Sequence, residues 1–415
     1  MSGKTEKQEN VYSPMIRFIK KQSYSYQSPG KIAWSRFKKN HFSCFGLIYL
    51  LLMFAIALLG YLIIPDSTPS ANKQFLELTT RRPGFSIQML KIRKNITDDQ
   101  QSWIKTMFMG KKETYNYAPV DSIEFKDSLL LAHEYSEKKE EKYIREYNPI
   151  DVVYAINRDK PVKFNNDEIS FIDIENKRHT VSYEKIKQII KSEYLVKKTF
   201  PLGTDLFGRD LLSRLVIGAR ISLSVGFIAV FISLVIGLTL GSIAGYFRGW
   251  IDDIIMWLIN VVWSVPTLLM VIAITLVIGK GFWQIFLAVG LTMWVEVARV
   301  VRGQIISVRE KEYVEAAKAL GFPSKRIIIK HILPNVINPV IIISAANFAS
   351  AILIEAGLSF LGIGVQPPMP SWGTMIKEHY GYILIDKGYL AILPGIAIML
   401  TVLSFTLIGN GLRDA

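Results

Sequence analysis

Residues 312–335 read EYVEAAKALGFPSKRIIIKHILPN, and this stretch decides the fold more than any other. Its first part carries small and apolar residues at helical spacing, which predicts a short helix. The residues predicted to share one face of that helix are Tyr313, Ala316, Ala317 and Leu320. Gly321 follows them, at a position where helices commonly end on a residue with positive φ.

The second part of the stretch predicts another short helix. Pro323 or Ser324 can begin it, because proline is tolerated in a first turn and serine caps helix N-termini. Three isoleucines at 327–329 give it an apolar face, and Leu333-Pro334-Asn335 is predicted to end it. Periodicity alone leaves two interpretations of this helical hairpin open: a surface helix at the lipid headgroups, or an element that binds a partner.

Apolar residues elsewhere are gathered in uncharged runs, and they make up half of the 415 residues. A helix needs about 20 apolar residues to cross a bilayer, and lipid offers no hydrogen-bond partners to other backbone conformations. Six runs are long enough, namely 43–64, 219–246, 254–278, 283–303, 336–360 and 388–410. The sequence therefore predicts an all-α membrane protein with six transmembrane helices.

Basic residues lie before the first predicted transmembrane helix and between the fourth and the fifth. The positive-inside rule places both segments in the cytoplasm, so both termini are expected there. These segments also account for the net charge of +14. Since no basic groove with base-stacking aromatic residues accompanies that charge, we expect no nucleic-acid partner.

A long polar segment, residues 65–200, separates the first predicted transmembrane helix from the second, on the external side. Val162 and Phe164 flank a lysine in an alternation typical of strands, and the isoleucines at 186–190 recur at helical spacing. We expect a small extracytoplasmic α+β insert here. Its role stays open between docking a binding protein or envelope partner and acting as a spacer.

Charged residues inside a membrane are costly and are usually functional. Glu296 and Arg299 lie three residues apart in the fourth predicted transmembrane helix, where they can pair on one face, either as a gate or with Arg299 reaching the interface. Glu355 lies in the fifth, where it either lines the path or hydrogen-bonds to the outer loop. These three residues are the candidates for a pathway or gate.

Sequence signatures of catalysis are missing from the chain. It contains no phosphate-binding Gly-x-x-x-x-Gly-Lys-Ser/Thr loop, no His-Glu-x-x-His motif and no catalytic-triad signature. The one cysteine, Cys44, cannot form an internal disulfide. We therefore expect a non-catalytic subunit without a cofactor or a metal, which leaves ATP hydrolysis to other chains.

The hairpin resembles the EAA motif of binding-protein-dependent ABC importer permeases. The resemblance is carried by Glu315-Ala316-Ala317, by Gly321 four positions beyond, and by Leu333-Pro334. It implies that 304–335 is the cytoplasmic coupling loop, which docks into a groove of the ATPase. His331 stands where the family often has isoleucine and is similar to the dipeptide and oligopeptide branch.

Three further stretches resemble the same branch. They are PLGTD followed by GRD at 201–210, EAGLSFLG at 355–362, and GNGLRD at 409–414. The chain departs from the branch at Phe200, where histidine is usual, and at Asn410, where aspartate is usual. The likeness covers the first predicted transmembrane helix and residues 200–415, and it excludes most of the insert.

The resemblance implies the type I ABC importer permease fold and an inner-membrane location. It divides the chain into a basic tail (1–42), a first transmembrane helix (43–64), the insert (65–200) and a five-helix core (201–415). The implied partners are two ATPase subunits, a second homologous permease, an extracytoplasmic binding protein and membrane lipid. The implied cargo is a short peptide, with nickel or another small solute as the family alternative. An ion-coupled secondary transporter and a receptor built on the insert are the rival classes, although no intramembrane proton relay favours the former.

Overall fold

The computed structural model describes residues 29–97, 101–137, 143–165, 168–279 and 281–414. Most of the predicted basic tail lies outside these ranges. The chain begins with two helices, α1 (Pro29–Lys39) and α2 (His41–Ile63). Asn40 separates them, because its side chain accepts hydrogen bonds from the Phe42 and Ser43 backbone N–H groups and so caps α2. Helix α2 is long and apolar enough to cross a membrane.

The segment that follows α2 forms strands and short helices. In chain order they are β1 (Phe85–Arg93), α3 (Trp103–Met109), β2 (Tyr115–Lys126), β3 (Leu129–Glu134), β4 (Ile144–Tyr147), α4 (Pro149–Val153), β5 (Lys163–Asn165), β6 (Glu168–Ile172), β7 (Arg178–Ser182), α5 (Tyr183–Ile189) and β8 (Leu195–Phe200). We call this segment, from the end of α2 to β8, the insert. One antiparallel sheet has the order β4-β3-β2-β1-β8, and a second has the order β5-β6-β7.

The insert has an apolar core of its own. Leu90 of β1, Val120 of β2 and Leu130 of β3 point to one side of the larger sheet, where Ile150 of α4 and Ile186 of α5 cover them. Burial of such side chains contributes about 1.5–3 kcal/mol each to folding. Strand β8 lies at one edge of the sheet and leads directly to the membrane helices.

The remainder of the chain is helical. Its elements are α6 (Leu211–Phe247), α7 (Trp250–Trp263), α8 (Thr267–Ile278), α9 (Phe282–Arg309), α10 (Glu312–Ala319), α11 (Ser324–Phe360), α12 (Trp372–His379) and α13 (Tyr389–Arg413). Helices α2, α6, α9, α11 and α13 are long and apolar enough to span a membrane. In the described part of the chain there are five such helices, or six if α7 and α8 count as one.

The predicted transmembrane helix 254–278 is not a single helix. Helices α7 and α8 bend by 90° at the break between them. Pro266 precedes α8 and has no N–H to donate, so the α-helical hydrogen-bond pattern cannot continue through it. A kink at Pro266 can be expected from the sequence, but its angle of 90° cannot.

Small residues bring α6 and α9 into close contact. Gly237, Gly241 and Gly245 recur every fourth residue along α6 and face α9. A methyl group at Gly241 would lie 2.5 Å from the Ala298 backbone oxygen, so only glycine allows this approach. The contact fixes the position of α9, which carries Glu296 and Arg299 and ends beside the hairpin.

Candidate functional site

The hairpin turns where the sequence predicts. Gly321 has φ +75°, and its N–H donates to the Lys318 oxygen at 2.9 Å. The next residue, Phe322, donates to the Ala317 oxygen at 3.2 Å. This pair of hydrogen bonds is the Schellman motif, which satisfies the last carbonyls of a helix and requires a left-handed residue. The predicted end of the first helix at Gly321 is confirmed.

Three of the four residues predicted to share one face of α10 are exposed, and the fourth, Ala317, is buried. Val314 and Ala317 are the buried pair, and they pack against the ends of α9 and α11. Tyr313 and Leu320 point outward and are 43% and 73% exposed, and Ala316 is exposed beside them. The helix carries apolar residues on two adjacent faces, and the core takes the face that contains Val314. Glu315 is also exposed.

The second part of the hairpin does not end at Leu333-Pro334-Asn335. It begins after Pro323 and runs without interruption from Ser324 to Phe360 as α11. Residues Ile327–Ile332 form a π-helical turn, and the Leu333 N–H donates five residues back to the Ile328 oxygen. The wider turn shifts the hydrogen-bond register by one residue, so Pro334 stands at the start of a new α-helical segment, where no N–H is needed.

His331 contacts both the turn of the hairpin and the helix that follows it. Its ring stacks on Phe322 with centroids 6.0 Å apart and an interplanar angle of 16°. The guanidinium carbon of Arg326 lies 4.2 Å from the same Phe322 ring. Asn335 donates from its side chain to the His331 backbone oxygen at 2.8 Å. The histidine thus ties the turn to the helix that follows it.

Glu296 and Arg299 do not pair with each other. The Arg299 guanidinium carbon lies 3.6 Å from the centroid of the Trp263 ring, and its Nη2 donates to Asn260 at 3.3 Å. Both partners belong to α7, and no sequence pattern predicts that α7 lies beside α9. A cation held over an aromatic face is stabilised by about 0.5–2 kcal/mol. The guanidinium therefore joins α9 to the end of α7.

Glu296 faces a cavity at the break between α7 and α8. The cavity has a volume of about 360 Å³ and is bounded by residues of α7, α8, α9 and α11. Its lining includes Trp263, Thr267, Ser350 and Leu353. Among the described residues that line it, Glu296 is the only charged one. A carboxylate in apolar surroundings is suited to meet a cationic group.

Glu355 is fully buried between three elements. One carboxylate oxygen accepts from the Ser222 hydroxyl of α6 at 3.1 Å, and the other accepts from the Ser359 hydroxyl at 2.7 Å. Ser359 in turn accepts from the Val365 backbone N–H at 3.2 Å and lies near Ser371 at the start of α12. Of the two placements predicted for Glu355, these hydrogen bonds favour the one toward the loop that joins α11 to α12.

A buried ion cluster joins the segment before α6 to α12. Asp205 accepts from the Phe207 and Arg209 backbone N–H groups and from Arg209 Nε at 2.5 Å. Arg209 Nη2 donates to Glu378 at 2.7 Å, and Arg214 lies 3.5 Å from Asp205 and 3.6 Å from Glu378. Three of the four side chains are at least 96% buried. Asp205 and Arg209 belong to the stretch 201–210 that resembles the family, but the ion pairs that they form were not predicted from the sequence.

His379 completes the cluster in its neutral form. Its Nδ1 donates to the Met375 backbone oxygen at 2.7 Å, so Nε2 is left to accept from the Leu206 N–H at 3.4 Å. Burial lowers the pKa of His379, which keeps the ring uncharged. Ligand atoms of Asp205, Glu378 and His379 lie within 4.8 Å of one another. Both carboxylates are already bonded to arginines, so the cluster serves as a structural ion pair network rather than as a metal site.

Comparison with protein families gives two matches. Residues 237–415 match the family described as "Binding-protein-dependent transport system inner membrane component". Residues 28–78 match the "N-terminal TM domain of oligopeptide transport permease C". The hairpin and the helices around it fall in the first match, and α2 falls in the second. Most of the insert lies between the two.

Curated relatives align over about half of the chain. The dipeptide transport system permease protein DppC of Alkalihalophilus pseudofirmus is 45% identical over 213 residues, which cover 51% of this chain and 70% of the relative. The glutathione transport system permease protein GsiD of Pectobacterium atrosepticum is 41% identical over 214 residues, with 52% and 71% covered. The oligopeptide transport system permease protein OppC of Haemophilus influenzae is 43% identical over 213 residues, with 51% and 68% covered.

Among solved structures, an inward-facing MetNI methionine ABC transporter chain aligns with 20% identity and a TM-score of 0.41, covering 48% of this chain and 95% of that one. The two family matches together include the hairpin, its neighbouring helices and α2. The chain belongs to the binding-protein-dependent ABC importer permeases, in the branch of the dipeptide and oligopeptide permeases.

Proposed function

We propose that this permease subunit imports short peptides and that the hairpin couples it to ATP hydrolysis on separate subunits. The observation that carries the proposal is the outward face of α10. Leu320, at 73% exposed, and Tyr313, at 43%, present apolar surface that the chain itself leaves uncovered. A tyrosine at the centre of a contact is a typical anchor of a protein interface, and an exposed leucine beside it adds apolar area that a partner can bury.

Each motif residue has a proposed part in this coupling. Ala316 is exposed and small, which lets a partner surface approach the α10 backbone closely. Glu315 is exposed one position earlier and is available to a cationic group of the ATPase. Ala317 anchors the inner face, Gly321 permits the turn, and His331 braces it. The last two motif residues, Leu333 and Pro334, follow the π-helical turn that joins the hairpin to α11.

The proposed orientation places the coupling loop 304–335, which contains the hairpin, in the cytoplasm together with both termini. Ser43, near the start of α2, donates to the Leu407 backbone oxygen near the end of α13, so the two terminal segments lie at one end of the helices. Basic residues of α1 and of the hairpin favour the cytoplasmic side for that end. The insert then lies outside the cell membrane.

The proposed assembly contains two ATPase subunits, a second permease and an external binding protein. Because the relatives are named for dipeptide, oligopeptide and glutathione transport, a short peptide is the proposed cargo. A peptide carries an ammonium group, and Glu296 offers a carboxylate in the cavity at the α7–α8 break. We propose that the path of the peptide runs along this cavity. Arg299 fixes one wall of it through its contact with Trp263, and Glu355 fixes the outer loop through its hydrogen bonds.

The test is ATP-dependent uptake of a labelled dipeptide by vesicles that contain the chain with its partner subunits. Glu315→Lys and Gly321→Pro are each expected to abolish uptake while the subunit stays inserted. Leu320→Ser is expected to weaken co-purification of the ATPase in mild detergent. Leu384→Ser is the matched control, because Leu384 is 90% exposed at the opposite end of the helices.

Three results would contradict the proposal. Normal uptake in both Glu315→Lys and Gly321→Pro would remove the hairpin from the coupling. Uptake that persists without the ATPase would favour an ion-coupled transporter. ATP-dependent uptake of nickel or another small solute, without uptake of peptide, would keep the coupling and overturn the cargo.

A further inference from the structure

The short helix α3 of the insert lies against the membrane helices. It packs on α2, and Arg220 of α6 donates from Nη1 to the Met107 backbone oxygen at 3.0 Å. Phe108 of α3 shares a cavity of about 410 Å³ with Phe54 and Leu58 of α2. The Arg220 guanidinium carbon lies 5.3 Å from the Phe108 ring centroid and 5.8 Å from that of Tyr61, which lies two residues before the end of α2. Helix α3 therefore lies beside the last turns of α2.

The outer surface of α3 is apolar. Trp103, Ile104, Phe108 and Met109 are between 50% and 66% exposed, and no residue of the helix is buried. Lys105 lies on the same exposed arc, and its long stem allows the ammonium to reach the headgroups. Helices with this composition lie in the interface with their apolar side about 5–10 Å into the acyl region. Beside the end of α2, the exposed side of α3 is therefore suited to contact lipid.

A lysine-rich cleft begins where α3 ends. Gly110 turns back against Ser67–Pro69, and the Lys111 N–H donates to the Ser67 oxygen at 2.7 Å. The cleft that opens here has a volume of about 560 Å³. Its floor is Pro65–Thr68, directly after the end of α2, so it lies at the membrane surface. The lysines that line it are Lys73, Lys91, Lys111, Lys112, Lys197 and Lys198.

The two carboxylates that line the cleft, Glu113 and Asp66, already have ion-pair or hydrogen-bond partners within the chain. Glu113 bonds to Lys73 and, at 3.1 Å, to Lys94. Asp66 accepts from the Thr68 backbone and hydroxyl and from the Lys73 backbone N–H. The cleft thus holds more positive charge than the carboxylates lining it can neutralise.

The surroundings of Lys198 indicate most clearly that this cleft can bind an anion. Its Nζ lies 5.3 Å and 5.2 Å from the Phe75 and Phe200 ring centroids, and no carboxylate of the described residues lies within salt-bridge distance. Burial lowers the pKa of Lys198, and burial together with Lys198 lowers the pKa of Lys73 to about 7. Crowded, half-buried ammonium groups of this kind are stabilised by a bound anion.

We propose that α3 and this cleft together form a binding site for an anionic phospholipid. The acyl chains lie along the exposed apolar side of α3, and the headgroup phosphate enters the cleft among Lys111, Lys73 and Lys198. The vertical order matches a lipid, with apolar surface at acyl depth and lysines at the surface directly above it. A soluble phosphate would use the lysines but would gain nothing from α3.

The first test locates α3. The full chain with its partner subunits is placed in bilayers of phosphatidylcholine with or without bromine on the acyl chains. The contribution of Trp103 is the fluorescence of the wild type minus that of Trp103→Phe. We expect brominated lipid to quench this contribution strongly. An unquenched Trp103 would place α3 in water and overturn the proposal.

The second test measures lipid preference. The complex is reconstituted in mixed phosphatidylglycerol and phosphatidylcholine, extracted, and its retained lipid is quantified by mass spectrometry. Lys111→Gln with Lys198→Gln is expected to lower retained phosphatidylglycerol by roughly thirtyfold, since each of the two lysines contributes about 1 kcal/mol to binding anionic lipid. Lys126→Gln with Lys185→Gln removes two exposed lysines of the insert that do not line the cleft, and it should retain the lipid.

Two results of the second test would overturn the lipid assignment. Equal retention by the cleft variant and the control would do so. Displacement of phosphatidylglycerol by inorganic phosphate, at matched ionic strength, would assign the lysines to a soluble anion instead. If the double variant does not fold, Lys111→Glu alone keeps the test decisive, because Lys111 is exposed and its side chain is not part of the core.

Discussion

The two ends of the helical core are held together in opposite ways. At the hairpin end, Val314 and Ala317 are buried among apolar residues, and every charged residue of α10 is exposed. At the end beside the insert, Asp205, Arg209 and Arg214 are buried, and Glu378 completes the balance of their charges. Apolar contacts are non-directional, whereas charge-assisted hydrogen bonds fix donor and acceptor geometry. We infer that the hairpin end adapts to a partner while the ion cluster beside the insert keeps its own geometry.

Loss of the Asp205 charge should produce the largest effect. Asp205→Asn leaves Arg209 and Arg214 buried with only Glu378 between them, and breaking a buried pair costs about 3–5 kcal/mol. We expect a large fall in the thermal unfolding midpoint of the detergent-purified protein.

The matched control for this change is Asp386→Asn. Asp386 pairs with Arg82 at 3.3 Å, but both side chains are more than 80% exposed. Exposed pairs contribute about 0–1 kcal/mol, so the midpoint should hardly move. Similar midpoints for the two variants would mean that the buried cluster does not hold the insert end together.

At the hairpin end, Gly321→Ala should have an intermediate effect. The φ of +75° costs a residue with a Cβ about 1–2 kcal/mol, although no atom obstructs the methyl group. Amide hydrogens of 312–332 should then exchange faster by roughly tenfold, while the helices of the core keep their protection.

Gly303→Ala is the control for the turn. Gly303 is helical and also has nothing near its Cβ position, so alanine should stabilise α9 by about 0.5–1 kcal/mol. Equal exchange in the two variants would contradict a turn that depends on the left-handed conformation of Gly321.

The free energy of unfolding of the insert should depend on pH, and we expect this effect to be smaller than the two effects above. This free energy should rise as the pH rises above 7. The pKa of Lys73 falls to about 7 in the folded protein, among Glu113, Lys94, Lys198, Asp66 and Tyr117. Between pH 7 and about 10.4, the unfolded chain binds a proton at Lys73 that the folded chain releases. The free energy of unfolding must therefore rise with pH across this range.

Unfolding of the insert at a series of pH values measures this slope. Lys73→Met should reduce it, and the remainder should come from Lys198, whose pKa is lowered in the same direction. A wild type whose stability falls as pH rises from 7 to 9, or a slope that Lys73→Met leaves unchanged, would contradict the assignment.

The smallest effect is expected at His331. His331→Ala removes the stacking on Phe322, which is worth about 0.5–1.5 kcal/mol beyond buried area. His331→Phe keeps an aromatic ring there and should retain stability and uptake. Loss of uptake in His331→Phe would show that the imidazole nitrogens matter and that stacking alone is not the role of this residue.

Local chemistry predicted the hairpin turn and most of the transmembrane helices. Gly321 needs only its own φ and the preceding helix, so its neighbours in sequence suffice to predict it. The course of α11 past Pro334 could not be predicted in this way. A proline normally ends a helix, and only the π-helical turn before it reveals that the hydrogen-bond register has shifted.

Contacts between distant segments account for the remaining misses. Glu296 and Arg299 are spaced to pair, but Arg299 lies over Trp263, which the 90° break brings alongside α9. The ion cluster joins Arg209 to Glu378 across 169 residues, and no periodicity connects them. The burial of Val314 in α10 was also not predicted, because it depends on contacts with α9 and α11.

Helix α11 has a mechanical consequence. It runs as one helix from Ser324 in the hairpin to Phe360 beside the outer loop, a rod of roughly 55 Å at 1.5 Å per residue. A tilt of roughly 5° about its midpoint would move each end by roughly 2 Å in opposite directions, by the same length. A tilt that displaces the hairpin end of α11 would therefore move the end beside Glu355 and Ser359 in the opposite direction.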